Sequence, residues 1–374
     1  MRQTLHTLPS ATPGSQHTLA SLHYGTPGAG PKVYIQASLH ADEVPGMLVA
    51  HHLRGRLAEL EAQGCFTGEV VLVPAANPIG LAQRVLHGHQ GRFDLASGEN
   101  FNRQFTDLTE KVAARVEGRL GSDAAANVAL VRVALGEAIA EMPGTTPLQA
   151  LRRLLMGLAA DADVVLDLHC DGQAVLHFYT TPATWPQAGE LLARCLGAEA
   201  VLLAERSGGD PFDEACSMLW PDLARRLGPA HPLPPACLAA TIELRGEADV
   251  THPLARRDAE AIVLYLHARG VIHLPAAPEL PPLRCEATPL AGSIPIDAPH
   301  GGVLVFHREP GEWVKRGDLI ADLIDPIQGE VTPLTSPVDG HFFARDLRRF
   351  ATAGMPIGKV AGRQALRQGS LLSA

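Results

Sequence analysis

No C-x-x-C pair occurs anywhere in the chain, and its six cysteines, Cys65, Cys170, Cys195, Cys216, Cys237 and Cys285, stand far apart. That scatter argues against a zinc ribbon and against a disulfide framework, and it leaves the cysteines as small core residues. There is no uninterrupted run of about 18 apolar residues, the length a membrane helix needs. The N-terminal stretch also lacks a charged end followed by a continuous apolar segment, so neither insertion nor export is expected and the chain reads as cytoplasmic. Basic runs are missing too. With 31 Lys and Arg against 40 Asp and Glu, the formal net charge of -9 repels nucleic acid and anionic membrane surfaces rather than gathering them.

What remains is a globular composition. A chain of 374 residues with 46% hydrophobic and 19% charged residues can bury one large core and still supply a second, smaller domain. The apolar runs "KVYIQA" (32–37), "EVVLVPA" (69–75), "ADVVLDLH" (162–169), "AVLHFYT" (174–180) and "CLAATIEL" (237–244) have the length and β-branched content of interior strands. Between them, helical patterns fit 46–62, 125–142, 148–160, 187–197 and 254–269. In the first of these, Met47, Leu48, Leu53, Leu57 and Leu60 fall near one face and Gly64 follows as a C-cap. Alternating strands and helices predict an α/β fold with a mixed, largely parallel sheet flanked by helices. In such sheets chemistry collects at the carboxyl ends of the strands.

The proline-rich stretch 273–284, "HLPAAPELPPLR", reads as a stiff linker that ends a catalytic domain at residue 272. Beyond it, from 285 to 374, helical periodicity gives way to short strands with Gly and Pro turns, the pattern of a small all-β barrel or sandwich. The phrase "GEWVKRGDLIADLIDP" resembles part of a biotinyl/lipoyl domain. Such carriers bear a lysine at the following hairpin tip, whereas this chain reads "DPIQGEVT", so the fold is retained and the carrier role is not.

The chemistry begins at "SLHADEVPG" (38–46), where a buried strand would end on a histidine and two acids. Burying these groups costs several kcal/mol unless something pairs them, and a divalent cation is the strongest partner available. His40 and Glu43, three apart where strand gives way to helix, can converge on one ion, although H-x-x-E alone is a weak signal. His169 ends the most strand-like run and should emerge at the same sheet edge. A His2Glu set with one open position matches catalytic zinc, which holds a water of pKa about 7. Taken singly, His169 could be a core histidine satisfied by a backbone carbonyl, and Cys170 beside it should point to the opposite face. Glu243 ends another apolar strand, placed either to take a proton from such a water or to pair with Arg245. Asn102 and Arg103 in "GENFNRQF" offer an amide and a guanidinium suited to gripping a carboxylate.

In order along the chain, His40-x-x-Glu43, Asn77-Pro78, Asn102-Arg103, Asp167-Leu168-His169 and Glu243 resemble the succinylglutamate desuccinylase/aspartoacylase family of the zinc carboxypeptidase-like superfamily. The resemblance spans residues 30 to about 270, and the β-rich C-terminal part is similar to that family's trailing domain. It implies a zinc-dependent hydrolase that removes an acyl group from an amino acid's amine, with one Zn2+ on His40, Glu43 and His169 and with Glu243 as general base and acid. Asn102 and Arg103 would clamp the substrate carboxylate. Two departures stand out: Ala41 replaces a glycine, and "NFNR" replaces "DLNR". The arginine polarising the scissile carbonyl is therefore open, with Arg92 the first choice and Arg84 the second among the substrate-site residues. The expected partner is a small N-acyl amino acid. A metallocarboxypeptidase and a non-catalytic binding module are the competing readings, and a homo-oligomer is left open.

Overall fold

All five apolar runs lie side by side at the centre of a nine-stranded sheet in the computed structural model of the protein, which describes residues 1–276 and 278–372. Their order across the sheet is Glu69–Val73, Lys32–Ala37, Val164–Asp171, Leu238–Gly246 and Leu176–Thr180. The first four run parallel and the fifth pairs antiparallel to Leu238–Gly246. Four further strands extend the edges. Arg2–Thr7 and Thr18–Gly25 add antiparallel on one side, while Ala200–Leu203 and Ala287–Pro289 add parallel on the other. The sequence reading does not foresee these four: "RQTLHT" is largely exposed and lacks a continuous apolar run, and the buried Ala200–Leu203 is only four residues long. The last of them lies beyond residue 284, so the large sheet draws one strand from the region read as C-terminal barrel.

Helices cover both faces. Pro45–Ala62 and His252–Ala268 pack over one apolar layer, while Ala124–Ala140, Pro147–Ala159 and the short Phe212–Ser217 and Leu219–Leu227 cover the other. The helix at 45–62 buries Leu53, Leu57 and Leu60 as expected, but in its first turns Val49 and Ala50 take the inner face while Met47 and Leu48 are only partly covered. Gly46 packs tightly at its start. A Cβ there would sit 3.0 Å from the Leu168 carbonyl oxygen and 3.1 Å from the Ala37 and Leu168 Cβ atoms, so a larger residue would have to push the first turn away from the strand ends by a few tenths of an ångström. Among the described residues, no helix is long and apolar enough to cross a membrane.

From Ser293 onward, antiparallel strands form two small sheets around Ile296, Leu304, Val314, Leu323, Phe342 and Val360. The hairpin Leu319–Asp325/Glu330–Thr335 carries Ile327 exposed at its tip, where a carrier would hold its lysine. This region clasps the large sheet close to its carboxyl edge. Gln173–Ala174, just past the Val164–Asp171 strand, pairs with Gly340–Arg345, and Lys359 Nζ lies 2.7 Å from Asp171 Oδ2.

Candidate metal centre

The parallel strands deliver their last residues to one edge of the sheet. After Ala37 the buried Ser38 adopts a left-handed φ of 65°, costly for a side-chain-bearing residue, and this bends the chain out of the sheet. The following turn brings Glu43 N–H to the His40 carbonyl at 3.1 Å, stacking the two side chains on the same side. His169 comes from the end of Val164–Asp171, and Glu243 lies directly across from it in register on the neighbouring strand.

His40, Glu43 and His169 converge. Their ligand atoms all lie within 4.8 Å of one another, and all three residues are buried. The Glu43 carboxylate sits between the rings, 2.8 Å from His40 Nδ1 through Oε1 and 2.7 Å from His169 Nδ1 through Oε2. Each ring is held from behind. His40 Nε2 meets Asn100 Oδ1 at 2.8 Å, and His169 Nε2 is 3.0 Å from Asp167 Oδ2, within ion-pair reach although misaligned for a hydrogen bond. Asp167 Oδ1 accepts Gln36 Nε2–H at 3.0 Å and Gln36 Oε1 accepts the Tyr34 hydroxyl at 2.9 Å. Partners of this kind fix the ring orientation of metal-binding histidines.

The electrostatics suit a cation. Burial pushes the Glu43 carboxyl up, but His40 and His169 outweigh it and hold the group well below the carboxylate range. Burial likewise pulls His169 down, yet Asp167 and Glu43 together raise it well above an ordinary histidine, whereas His40 is lowered, chiefly by burial. Two buried carboxylates thus crowd two imidazoles with both Nδ1 atoms turned inward, and a divalent ion satisfies that donor set better than a shared proton does.

Glu243 does not pair with Arg245. A bulge follows it, Arg245 takes a left-handed φ of 66°, and the guanidinium turns to Asp258 instead. Glu243 Oε2 is buried and finds no hydrogen-bond partner among the described residues. Burial, and then the charge of Glu43, push its carboxyl up to about 8.

The residues from the 77–105 region divide. Arg92 reaches the centre, with Nη1 3.2 Å from Glu43 Oε1. Its neighbour Gly91 makes this approach possible, since a Cβ there would fall 2.0 Å from Asp42 N. Arg84 does not reach the centre: it lies on the exposed two-residue strand Arg84–Val85, away from the cavity lining, because the hairpin it belongs to turns outward. Asn102 and Arg103 are both buried and line the cavity. Asn102 Oδ1 accepts Phe212 N–H at 2.9 Å and its Nδ2 is 3.4 Å from His169 Nε2, so its amide ties the centre to the 212–217 helix. Arg103 Nη1 donates to the Asn102 carbonyl at 2.7 Å. Cys170 contributes its backbone N–H to Glu43 Oε2 at 3.2 Å, and burial pushes its thiol far up, which leaves it a poor ligand.

The cavity encloses about 800 Å³ of space, part of it open to solvent. Several lining residues escape the sequence reading: Asp171, Tyr179, Asp213 and Glu214 from the large domain, and Lys359 and Leu372 from the C-terminal region. Asp167 carried a usable signal, since it sits two residues before His169 on a strand and shares its face. Lys359 carried none.

Residues 29–130 match the model of the succinylglutamate desuccinylase/aspartoacylase catalytic domain. No curated protein sequence matches the chain. Among solved structures, a protein of that family from Shewanella amazonensis is 28% identical, with a TM-score of 0.84 over 96% of this chain and 98% of its own. A second, from Shewanella frigidimarina, is 25% identical with a TM-score of 0.81 over 96% of each chain. The ectoine utilization protein EutE from Ruegeria pomeroyi shares the fold at 15% identity, with a TM-score of 0.67 over 96% of this chain and 94% of its own.

Proposed function

We propose that this chain, which belongs to the succinylglutamate desuccinylase/aspartoacylase family by its matched catalytic-domain segment and its fold, is a zinc-dependent amidohydrolase that releases the acyl group from an N-acyl amino acid. The observation that carries the reading is the buried convergence of His40 Nδ1, the Glu43 carboxylate and His169 Nδ1, with Glu243 across from them, its Oε2 without a hydrogen-bond partner among the described residues. Zinc held by those three side chains would supply an activated water and a Lewis acid at neutral pH. Glu243 takes the proton and passes it to the leaving nitrogen, and burial suits it by bringing its proton affinity toward neutrality. Arg92, at the mouth beside Glu43, polarises the acyl carbonyl. Arg103 takes the substrate carboxylate as a cation with fork geometry. Asn100 and Asp167 hold the imidazoles in the orientation that keeps Nδ1 inward.

A small substrate is favoured over a peptide because Leu290, Lys359 and Leu372 close the cavity on the side of the C-terminal region. The test is a panel of N-acetyl, N-succinyl and N-formyl amino acids alongside dipeptides, scored for released amine with zinc-loaded and chelated protein. Acyl amino acids should be hydrolysed in a zinc-dependent manner. Preferential cleavage of dipeptides would make the protein a carboxypeptidase, and a folded, metal-loaded protein inert on the whole panel would make it a binding module.

A further inference from the structure

The cavity beside the metal centre has one wall without a formal charge. Tyr179, Leu202, Ala204, Leu290 and Leu372 line it, and they join a single apolar cluster in which Leu202 and Leu290 are fully covered. The wall is built from distant parts of the chain: the strands Leu176–Thr180 and Ala200–Leu203, the turn Leu290–Gly292, and residues 370–372. A short loop latches the last of these in place. Leu371 N–H donates to the Ser207 carbonyl at 2.7 Å. Gly208, at φ +97°, approaches Ser370 so closely that a Cβ would lie 2.9 Å from its Oγ and 3.1 Å from its Cα.

The same loop covers Arg103. At Gly209, φ +81°, a Cβ would lie 2.6 Å from Arg103 Cδ, and Gln104 N–H donates to the Gly209 carbonyl at 2.7 Å. The apolar wall and the guanidinium read as the carboxylate site are therefore neighbours across three residues. An amino acid anchored by its carboxylate at Arg103 would direct its side chain along that wall. Asp213 and Glu214 also line the cavity, and their charges act on Arg103.

We propose that the amino acid half of the substrate carries an apolar side chain, aliphatic or aromatic, seated against Tyr179, Leu202, Ala204, Leu290 and Leu372, with residues 370–372 forming part of the specificity wall. This rests on the deacylase reading and narrows it. An apolar side chain covers surface that water would otherwise wet, whereas a charged one would lose its hydration against leucine.

The test uses the zinc-loaded protein and N-acetyl derivatives of leucine, phenylalanine, glycine, aspartate, glutamate and lysine. Wild type should favour leucine or phenylalanine over aspartate and glutamate by about 10- to 100-fold in kcat/KM, the scale on which a hydrophobic pocket discriminates. Leu372→Glu should lower the leucine-to-glycine ratio of kcat/KM at least about tenfold, and Leu372→Ala, which perturbs folding less, should lower it by a few-fold. Equal or better use of aspartate, glutamate or lysine would overturn the proposal, as would an unchanged ratio in both variants. If no acyl amino acid is turned over, the deacylase reading fails separately, and calorimetric titration with the free amino acids still decides the wall: leucine binding tighter than aspartate and lysine supports it, and its failure to do so refutes it.

Discussion

Replacing Glu243 by glutamine removes a carboxyl that has two separable consequences, one on turnover and one on folding. As proton carrier it should contribute about 10²- to 10⁴-fold to the rate, so Glu243→Gln should cut kcat by at least about 10²-fold while the protein still binds zinc. The folding consequence follows from its burial without a partner. In the metal-free protein the carboxyl is pushed from 4.5 to about 8, so between those values the folded state holds a proton that the unfolded chain has released. Folded protein binding more protons means that stability falls as pH rises through this interval. At about 1.4 kcal/mol per pH unit, the loss amounts to at most about 5 kcal/mol. Glutamine cannot ionise. Thermal unfolding of chelated protein at pH 5 and pH 9 should therefore show a larger fall in Tm for wild type than for Glu243→Gln, and at pH 9 the variant should be the more stable of the two. Elemental analysis and kcat on the zinc-loaded form complete the assay. Near-normal turnover would remove Glu243 from the reaction, and identical pH dependence of Tm in both proteins would refute the account of an uncompensated buried carboxyl.

Asp167→Asn should leave His169 in place but weaken its orientation, raising the zinc Kd by about 10- to 100-fold in competition with a chelator; unchanged affinity would reduce Asp167 to a packing residue. Arg103→Ala should lower kcat/KM for an acyl amino acid about 10²-fold with zinc content unchanged, and should hardly affect the corresponding amide, which lacks the carboxylate; equal damage to both substrates would assign Arg103 to the scissile carbonyl or to the fold. Gly46→Ala forces a Cβ against Leu168 and Ala37 and should destabilise by about 1–3 kcal/mol, seen as a lower denaturant midpoint; wild-type stability would mean that the helix start yields freely. Intact mass of protein from its native cell should show no lipoyl or biotinyl adduct, since Lys359 is held against Asp171 and the hairpin tip carries Ile327; an adduct on Lys359 or Lys315 would restore the carrier role.

Local pattern was enough for the five central strands and five of the helices between them, but not for Thr109–Val116, Phe212–Ser217 and Leu219–Leu227, which are short. His40, Glu43, His169 and Glu243 were legible from the same local pattern. His169 and Glu243 lie near the ends of apolar runs and His40 and Glu43 in the turn that follows another, and in parallel sheets such termini gather at one edge. The outer strands were not legible, as Arg2–Thr7 is largely exposed with mixed residues and Ala200–Leu203 and Ala287–Pro289 are very short. Nor was the choice between Arg92 and Arg84, which share one irregular stretch and are separated only by how closely Gly91 packs on Asp42.

What tertiary structure alone decided are the partners that come from far along the chain. Asn100 behind His40, Lys359 on Asp171, Arg245 turned to Asp258 rather than Glu243, and Leu372 in the cavity wall depend on closures that run from 13 residues for Arg245 to 188 for Lys359. Sequence periodicity reports which face of an element is buried, but not what buries it. The sequence by itself determined which side chains reach the carboxyl edge of the sheet, since strand ends and spacing are local properties. The three-dimensional packing determined how those side chains are oriented, which charges remain uncompensated and what shape of substrate the surrounding wall admits, since those depend on distances that no local pattern encodes.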